Sequence, residues 1–276
     1  IQGAVDRGIN FFDTAPLYGT EHTDGVSETV LGECLGNHRG QVIISTKFGR
    51  TSSNAMPGRF HAAEARKSCE ASLKRIGVDA LDVFFFHSPF TPEEIQDDVW
   101  AELARLKDKG KIRFIGHSVS MFEKTAPMSA AWVKEGLVDV VQVVLSPFNR
   151  EARSLIASAI ACDGGVVARE CMANGFLSGA IRKDTVFPAG SLNARYSREE
   201  IAERIAYADQ LSTALLNDEA RTLAQATYRW VLDQAGVSLA LSGAKYLEEL
   251  EDAIKATECA SFSKETLAAT EAMHAR

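Results

Sequence analysis

Seven short apolar runs recur along this chain, and their nearly unbroken apolar character restricts the fold more than any other feature. They cover residues 9–12, 42–48, 82–87, 114–119, 140–146, 166–172 and 238–244. Strict alternation of apolar and polar residues would mark sheets with one wet face. Continuous runs such as VIISTKF and DVFFFH mark strands buried on both faces, as in a parallel sheet covered by helices.

Helical patterns lie between the runs. Ala62, Ala65, Cys69, Leu73 and Ile76 form one apolar stripe, and Leu223, Ala226, Trp230 and Val231 form another. Ile95, Val99, Leu103 and Leu106 form a third. Thr91-Pro92-Glu93-Glu94 stands before it, with Thr91 at the cap and Pro92 at the first helical position. Gly36, Gly77, Gly110, Gly136 and Gly236 each stop a helix shortly before the next strand.

This alternation, with no linker, predicts a single α/β domain over residues 1–276. Ile1, Ala4, Val5 and Gly8 fall at helical spacing, so the chain opens inside a helix. One strand before that helix would complete a (β/α)8 TIM barrel. The expectation is therefore an N-terminally truncated barrel that lacks its first strand, a fragment of a longer protein. A doubly wound open sheet is the alternative, but no G-x-G-x-x-G follows any strand. The longest irregular stretch, 180–198, reads as a functional or a disordered loop.

The bulk properties narrow the partners. Net charge is −7 without a basic block, which argues against nucleic acid or an anionic membrane surface. No apolar run approaches bilayer length and no signal peptide is visible. Cys34, Cys69, Cys162, Cys171 and Cys259 are scattered, without metal-ligand spacing, so no disulfide scaffold or zinc site is expected. His22, His61 and His117 are likewise not spaced as a metal site, although His117 ends its strand pointing toward the barrel mouth. A cytoplasmic monomer is the default expectation.

Barrel active sites lie at the C-terminal ends of the strands. The polar residues that end the first three apolar runs are Asp13 with Tyr18 just beyond it, Lys47, and His87. Taken singly, each has a structural reading: a cap, a packed phenol, a surface lysine, a core histidine. Together they form an acid/base unit. A free phenol titrates near 10, and a neighbouring ammonium favours its phenolate. An aspartate would hold that lysine, and a histidine would hydrogen-bond a substrate oxygen. The phenol could then protonate an oxygen gaining negative charge, as when a carbonyl accepts a hydride from a cofactor.

GINFFDTAPLYG, SETVLGECLG, STKFG, ALDVFFFHSP, LKDKGKIRFIGHS, VVQVVLSPFN, NGFLSG and SGAKYLEELEDAIKA occur in register along nearly the whole chain. Together they resemble the aldo-keto reductase family, NADPH-dependent carbonyl reductases built on a (β/α)8 barrel. The resemblance implies a catalytic tetrad of Asp13, Tyr18, Lys47 and His87, with Tyr18 as proton donor. It implies that Ser118 and Gln142 hold the nicotinamide carboxamide and that Arg169 lies under the nicotinamide. Arg169 could instead pair with Glu170. Leu177, Ser178 and Gly179 match the loop along the pyrophosphate. Gly243, Ala244, Lys245, Glu249 and Asp252 match the adenosine-phosphate end.

Departures accompany the matches. Val119 stands where many members have asparagine, Glu249 where many have arginine or glutamine, and Asp252 with Ala253 where Glu-Asn is common. A carboxylate repels a 2′-phosphate and could instead accept from a ribose hydroxyl, while Lys245 could offset the repulsion; NADPH is the expected cofactor and NADH the other candidate. The implied activity is reduction of an aldehyde or ketone, such as a sugar, a small aldehyde or an aryl ketone. Phe48, Phe90, Trp100 and Phe148 are candidate lining for the substrate. The competing reading is a nucleotide-binding sensor like the channel-associated β-subunits of this family.

Overall fold

The computed structural model describes residues 1–20, 22–53 and 58–274. The chain divides into two compact units, Ile1–Val143 with Ser154–Val166, and Val144–Arg153 with Val167–Arg276.

In the first unit, strands and helices alternate. The elements are α1 (Gln2–Val5), β1 (Phe11–Asp13), α2 (Val26–Leu35), β2 (Ile43–Phe48), α3 (Ala62–Ile76), β3 (Leu81–His87), α4 (Asp98–Asp108), β4 (Ile112–Ser118), α5 (Phe122–Lys134), β5 (Val140–Val144) and α6 (Arg153–Ile160). Strands β1 to β5 pair in parallel, each with its successor. The chain crosses into the second unit within β6 (Gly165–Arg169). There follow α7 (Arg198–Leu215), α8 (Leu223–Leu232), β7 (Leu239–Ala240), α9 (Leu247–Glu258) and α10 (Lys264–His274). β7 pairs in parallel with β6. Each of the seven apolar runs overlaps one of the strands, and Gly36, Gly77, Gly110, Gly136 and Gly236 all adopt the positive φ of a helix stop.

The helix expected to begin at Pro92 begins at Asp98 instead. Pro92–Glu94 forms a separate 3-10 turn, and the Thr91 side chain caps nothing. Tertiary pairing is the reason. Ile95 forms a parallel bridge with Phe60, and Gln96 N–H donates to Phe60 O at 2.9 Å, which pulls the chain out of helical geometry. Segment 180–198 contains a 3-10 turn at Leu192–Arg195. Its Ile181, Phe187 and Tyr196 pack on Phe176, Ile201 and Ile205. Ser197 and Glu200 then open α7 with reciprocal capping hydrogen bonds.

The strand period of two sorts side chains onto two faces. On one face Phe48 and Phe86 meet Phe60, Phe84 stacks on Phe48, and Phe86 also meets Phe48, Trp100 of α4 and Trp132 of α5. Thr46, on this same face, donates to Glu28 of α2 at 2.5 Å, and Glu28 also accepts from Arg75 of α3 at 2.6 Å. The other face carries Asp13, Ser45, Lys47, Phe85, His87, Ser118 and Gln142. Gly116 lies among them because a Cβ there would stand 2.3 Å from the Phe85 ring. Gly32 has a comparable role, since a Cβ would meet the Ile76 carbonyl of α3 at 2.4 Å.

His117 was expected to face the mouth, and it does not. It falls on the aromatic face, fully buried, with its ring 5.1 Å from Trp132 and 6.4 Å from Phe86. Period two decides this, since Ser118, next along β4, takes the other face. Among the described residues, neither ring nitrogen of His117 has a hydrogen-bond partner. Burial pushes its pKa down to about 3. The unfolded chain would bind that proton near pH 6.5. Stability from this group is therefore complete above about pH 6.5 and is lost as pH falls toward 3, with a slope of up to about 1.4 kcal/mol per pH unit. His117→Val should flatten the acid limb of stability against pH and raise stability at neutral pH by about 1 kcal/mol. Urea unfolding between pH 4 and 8 measures both; an unchanged acid limb would show that another group controls it.

Candidate active site

Asp13 ends β1 opposite Ser45 of β2, and Lys47 lies two residues further along the same face. The Lys47 ammonium is fully buried. Its Nζ donates to Asp13 Oδ2 at 2.5 Å and to Thr14 O at 2.9 Å. The other carboxylate oxygen, Asp13 Oδ1, accepts from Ser45 Oγ at 2.7 Å and from Gln142 Nε2 at 3.0 Å. The side chains of this cluster, Asp13, Ser45, Lys47 and Gln142, converge from three strands. An isolated buried ammonium would cost several kcal/mol, and this arrangement offsets that cost with a carboxylate and a carbonyl.

Tyr18 stands in the turn after β1. Its N–H donates to Ala15 O at 3.0 Å, and its carbonyl accepts from Ser27 N–H at 2.9 Å. Lys47 Nζ lies 4.8 Å from the centre of the phenol ring. His87, 6 % exposed at the end of β3, meets that ring edge-on, with centroids 5.6 Å apart and planes at 88°. Tyr18 itself is 42 % exposed. The four residues selected at strand ends are thus brought together, with the phenol outermost.

Two of the residues read as carboxamide contacts join the same network. Ser118 pairs in register with both His87 and Gln142. Its hydroxyl donates to Gln142 Oε1 at 3.1 Å and lies 3.2 Å from Ser88 Oγ. A continuous chain of hydrogen bonds therefore runs from Ser88 through Ser118 and Gln142 to Asp13 and Lys47. Ser45 and Thr14 were not read from the sequence. Ser45 had a usable signal, because it precedes Lys47 by two residues and so shares its face.

The remaining cofactor candidates lie in the second unit. Arg169 ends β6, and its guanidinium pairs with the Glu170 carboxylate, which is the alternative raised above. Leu177 is fully buried in a 3-10 turn (Ala173–Ser178) that Gly179 closes with φ 75°. Ser178 Oγ donates to Gly175 O at 2.7 Å. Gly243, Ala244 and Lys245 lead into α9, and no atom lies within 4 Å of a Cβ placed on Gly243. Glu249 Oε2 accepts from Lys245 N–H at 2.8 Å and Tyr246 N–H at 3.4 Å, so this carboxylate caps its own helix. Asp252 is turned to α8, where it accepts from Gln225 Nε2 at 2.9 Å and Thr222 Oγ1 at 3.2 Å.

Of the apolar lining candidates, Phe48 does not line the mouth, because it belongs to the fully buried aromatic face. Trp100 packs on Phe86 and Trp132, also on that face. Phe90 covers the Arg50 guanidinium at 4.0 Å. Phe148 lies in the second unit against Tyr207. Burial raises the Cys69 and Cys171 thiols to about 12, which leaves them inert near neutral pH.

Parallel strands alternating with helices, and an acid/base cluster at their C-terminal ends, define an α/β-barrel enzyme. The Aldo/keto reductase family model matches residues 1–275, and the chain belongs to that family. It is 30% identical over 264 residues to aldo-keto reductase YhdN of Bacillus subtilis, covering 91% of this chain and 75% of that protein. It is 28% identical to aldo-keto reductase yakc [NADP(+)] of Schizosaccharomyces pombe over 268 residues, 91% of this chain and 76% of that one. It is 27% identical to the NADH-specific methylglyoxal reductase of Escherichia coli over 270 residues, 90% of this chain and 78% of that one. The glycerol dehydrogenase AKR11B4 from Gluconobacter oxydans superposes with a TM-score of 0.81 at 27% identity, over 99% of this chain and 83% of that one. The fold is accordingly the family's (β/α)8 barrel class, and the protein is an oxidoreductase acting between carbonyl and alcohol with a nicotinamide cofactor.

The donor sets suit such a cofactor. Ser118 and Gln142 offer a hydroxyl and an amide, which match the hydrogen-bonding pattern of a carboxamide. In the second unit Arg169 and Lys245 carry cations and Ser178 a hydroxyl, groups of the kind an anionic pyrophosphate or phosphate takes, with Arg169 paired to Glu170 and the Ser178 hydroxyl donating to Gly175 O. Among the described residues, no group of His, Cys, Asp and Glu is placed to hold a metal ion. Asp13→Ala should destabilise the fold by about 3–5 kcal/mol, because it leaves the Lys47 ammonium buried without its carboxylate. Urea unfolding of the variant measures the loss, and a change below about 1 kcal/mol would show that Lys47 escapes to solvent.

Proposed function

We propose that the protein reduces an aldehyde or ketone to an alcohol, with Tyr18 as general acid. The observation that carries this reading is an exposed phenol backed by a buried, pinned ammonium 4.8 Å from its ring. The bound dinucleotide supplies the hydride. Tyr18 gives its hydroxyl proton to the carbonyl oxygen as charge develops there. Lys47 stabilises the charge left on the phenol oxygen, and Asp13 holds Lys47 in place. His87, edge-on to the phenol, orients the carbonyl oxygen. Ser118 and Gln142 would hold the carboxamide of that dinucleotide, and Leu177, Ser178 and Gly179 would serve its pyrophosphate.

Small oxygenated carbonyl compounds are the substrate class this reading favours, since relatives are named for methylglyoxal and glycerol. The chain would act as a cytoplasmic monomer with a single catalytic domain. No helix among the described residues is long and apolar enough to cross a membrane.

NADPH is the cofactor the family resemblance implies, with Lys245 as the cation for its 2′-phosphate. One observation favours NADH instead. Glu249 already occupies the Lys245 and Tyr246 N–H groups and places a carboxylate at the helix start.

Two measurements test these readings. With methylglyoxal as substrate, Tyr18→Phe should lower turnover about 10²–10⁴-fold while dinucleotide binding, read by protein fluorescence, stays unchanged. Parental turnover in that variant would remove Tyr18 from the mechanism. A parent that binds dinucleotide but turns over no carbonyl would point to the sensor reading. For the cofactor, Glu249→Gln should raise NADPH affinity relative to NADH by about fivefold if Glu249 disfavours the phosphate. An unchanged ratio would exclude that role.

A further inference from the structure

Arg50 lies two residues beyond β2 and is almost wholly buried, at 3 % exposure. Its guanidinium reaches two groups of partners among the described residues. Nε donates to both His87 O and Ser88 O, each at 2.9 Å. Nη2 donates to Glu94 Oε2 at 2.8 Å, and Glu94 is itself about nine-tenths buried. One face of the guanidinium rests on Phe90, 4.0 Å from the ring centre. Glu94 also accepts from Phe90 N–H at 3.4 Å. A planar fork can serve two adjacent carbonyls and a carboxylate at once, which a lysine cannot.

The carbonyls it binds belong to a strained turn. Ser88 has φ 52°, a left-handed conformation that costs a residue with a side chain about 1 kcal/mol or more. The turn is closed by Ser88 N–H to Phe86 O at 3.0 Å, and Pro89 follows. This turn sets the backbone from which the His87 imidazole meets Tyr18. It also places Ser88 Oγ against Ser118 Oγ, the start of the hydrogen-bond chain that reaches Asp13.

We propose that Arg50, held by Glu94, is a positioning residue that fixes the His87–Ser88 turn and thereby the register of His87 against Tyr18. The inference rests on the catalytic reading above. Arg50 touches no reacting atom and acts through His87. Burial of a charged pair is not an economical way to stabilise a fold, because a well-packed apolar pair often does as well. A fixed carbonyl geometry at a strained strand end is something only the fork supplies.

A double-mutant cycle tests the proposal. Arg50→Lys keeps the charge and removes the fork, so kcat should fall roughly tenfold to a hundredfold, with the dinucleotide Kd unchanged. Glu94→Gln leaves Arg50 with its Nε contacts and should lower kcat less, in the same direction. In a His87→Gln background, adding Arg50→Lys should cost no more than about twofold, because its route of action is already gone. Equal losses in both backgrounds, or a loss that tracks the folded fraction seen by circular dichroism, would overturn the proposal and leave Arg50 a stability residue. Parental kcat in both Arg50→Lys and Glu94→Gln would overturn it as well. Failure of the catalytic reading looks different: Tyr18→Phe and His87→Gln would then retain turnover. Should Arg50→Lys fail to fold, Glu94→Gln alone in the two backgrounds gives the same comparison.

Discussion

The buried ion pair between Lys47 and Asp13 is the constraint on which the rest of the active face depends. An ammonium removed from water must be compensated within hydrogen-bond distance. Here the compensation comes from Asp13, the Thr14 carbonyl and, indirectly, the Ser45 and Gln142 groups that hold Asp13. Asp13 and Thr14 come from the end of β1, Ser45 and Lys47 from β2 and Gln142 from β5, so the full network exists only when these three strands stand as observed. The pair in turn leaves a positive charge beside the one exposed member of the tetrad, the Tyr18 phenol.

A second requirement is rigidity behind that face. Phe48, Phe84, Phe86, Phe60, Trp100 and Trp132 form a contiguous aromatic layer beneath the helices. Two ion-pair clusters pin the helices over it. Glu28 receives Arg75 from α3. Glu102 of α4 receives Arg66 of α3 and Arg105 of its own helix, which hold its carboxyl down to about 2. The layer fixes the strands, and the strands fix the spacing of groups on the opposite face. His117 is the exception in this layer, a polar ring placed where only dispersion contacts are on offer.

At the start of α9, which the proposed reading gives to the adenosine phosphate, the side chains are already engaged within the protein. Glu249 caps its own helix and Asp252 supports α8, so neither carboxylate is idle. Overall similarity does not choose a cofactor either. The relative named for NADP(+) and the one named for NADH stand at 28% and 27% identity. In the proposed reading the choice is local, resting on Glu249 and Lys245 at the start of α9.

What the sequence determined by itself follows from short-range rules. Apolar runs bounded by glycines located the strands, and polar residues at the ends of those runs picked out Asp13, Tyr18, Lys47 and His87. Period two also carried the face assignment of Ser45 and of His117, though it becomes readable only once a reference residue on the strand is known to face the mouth. The tertiary structure decided the rest. The start of α4 moved because Ile95 pairs with Phe60, thirty-five positions earlier. The partners of Arg50 lie 37, 38 and 44 residues away, and no local pattern marks them. Glu249 could have faced a phosphate or its own backbone, and the turn before α9 settled which. Hydrophobic periodicity is written along the chain, whereas the choice of a hydrogen-bond partner is made across space by whichever group the packed strands bring within 3 Å.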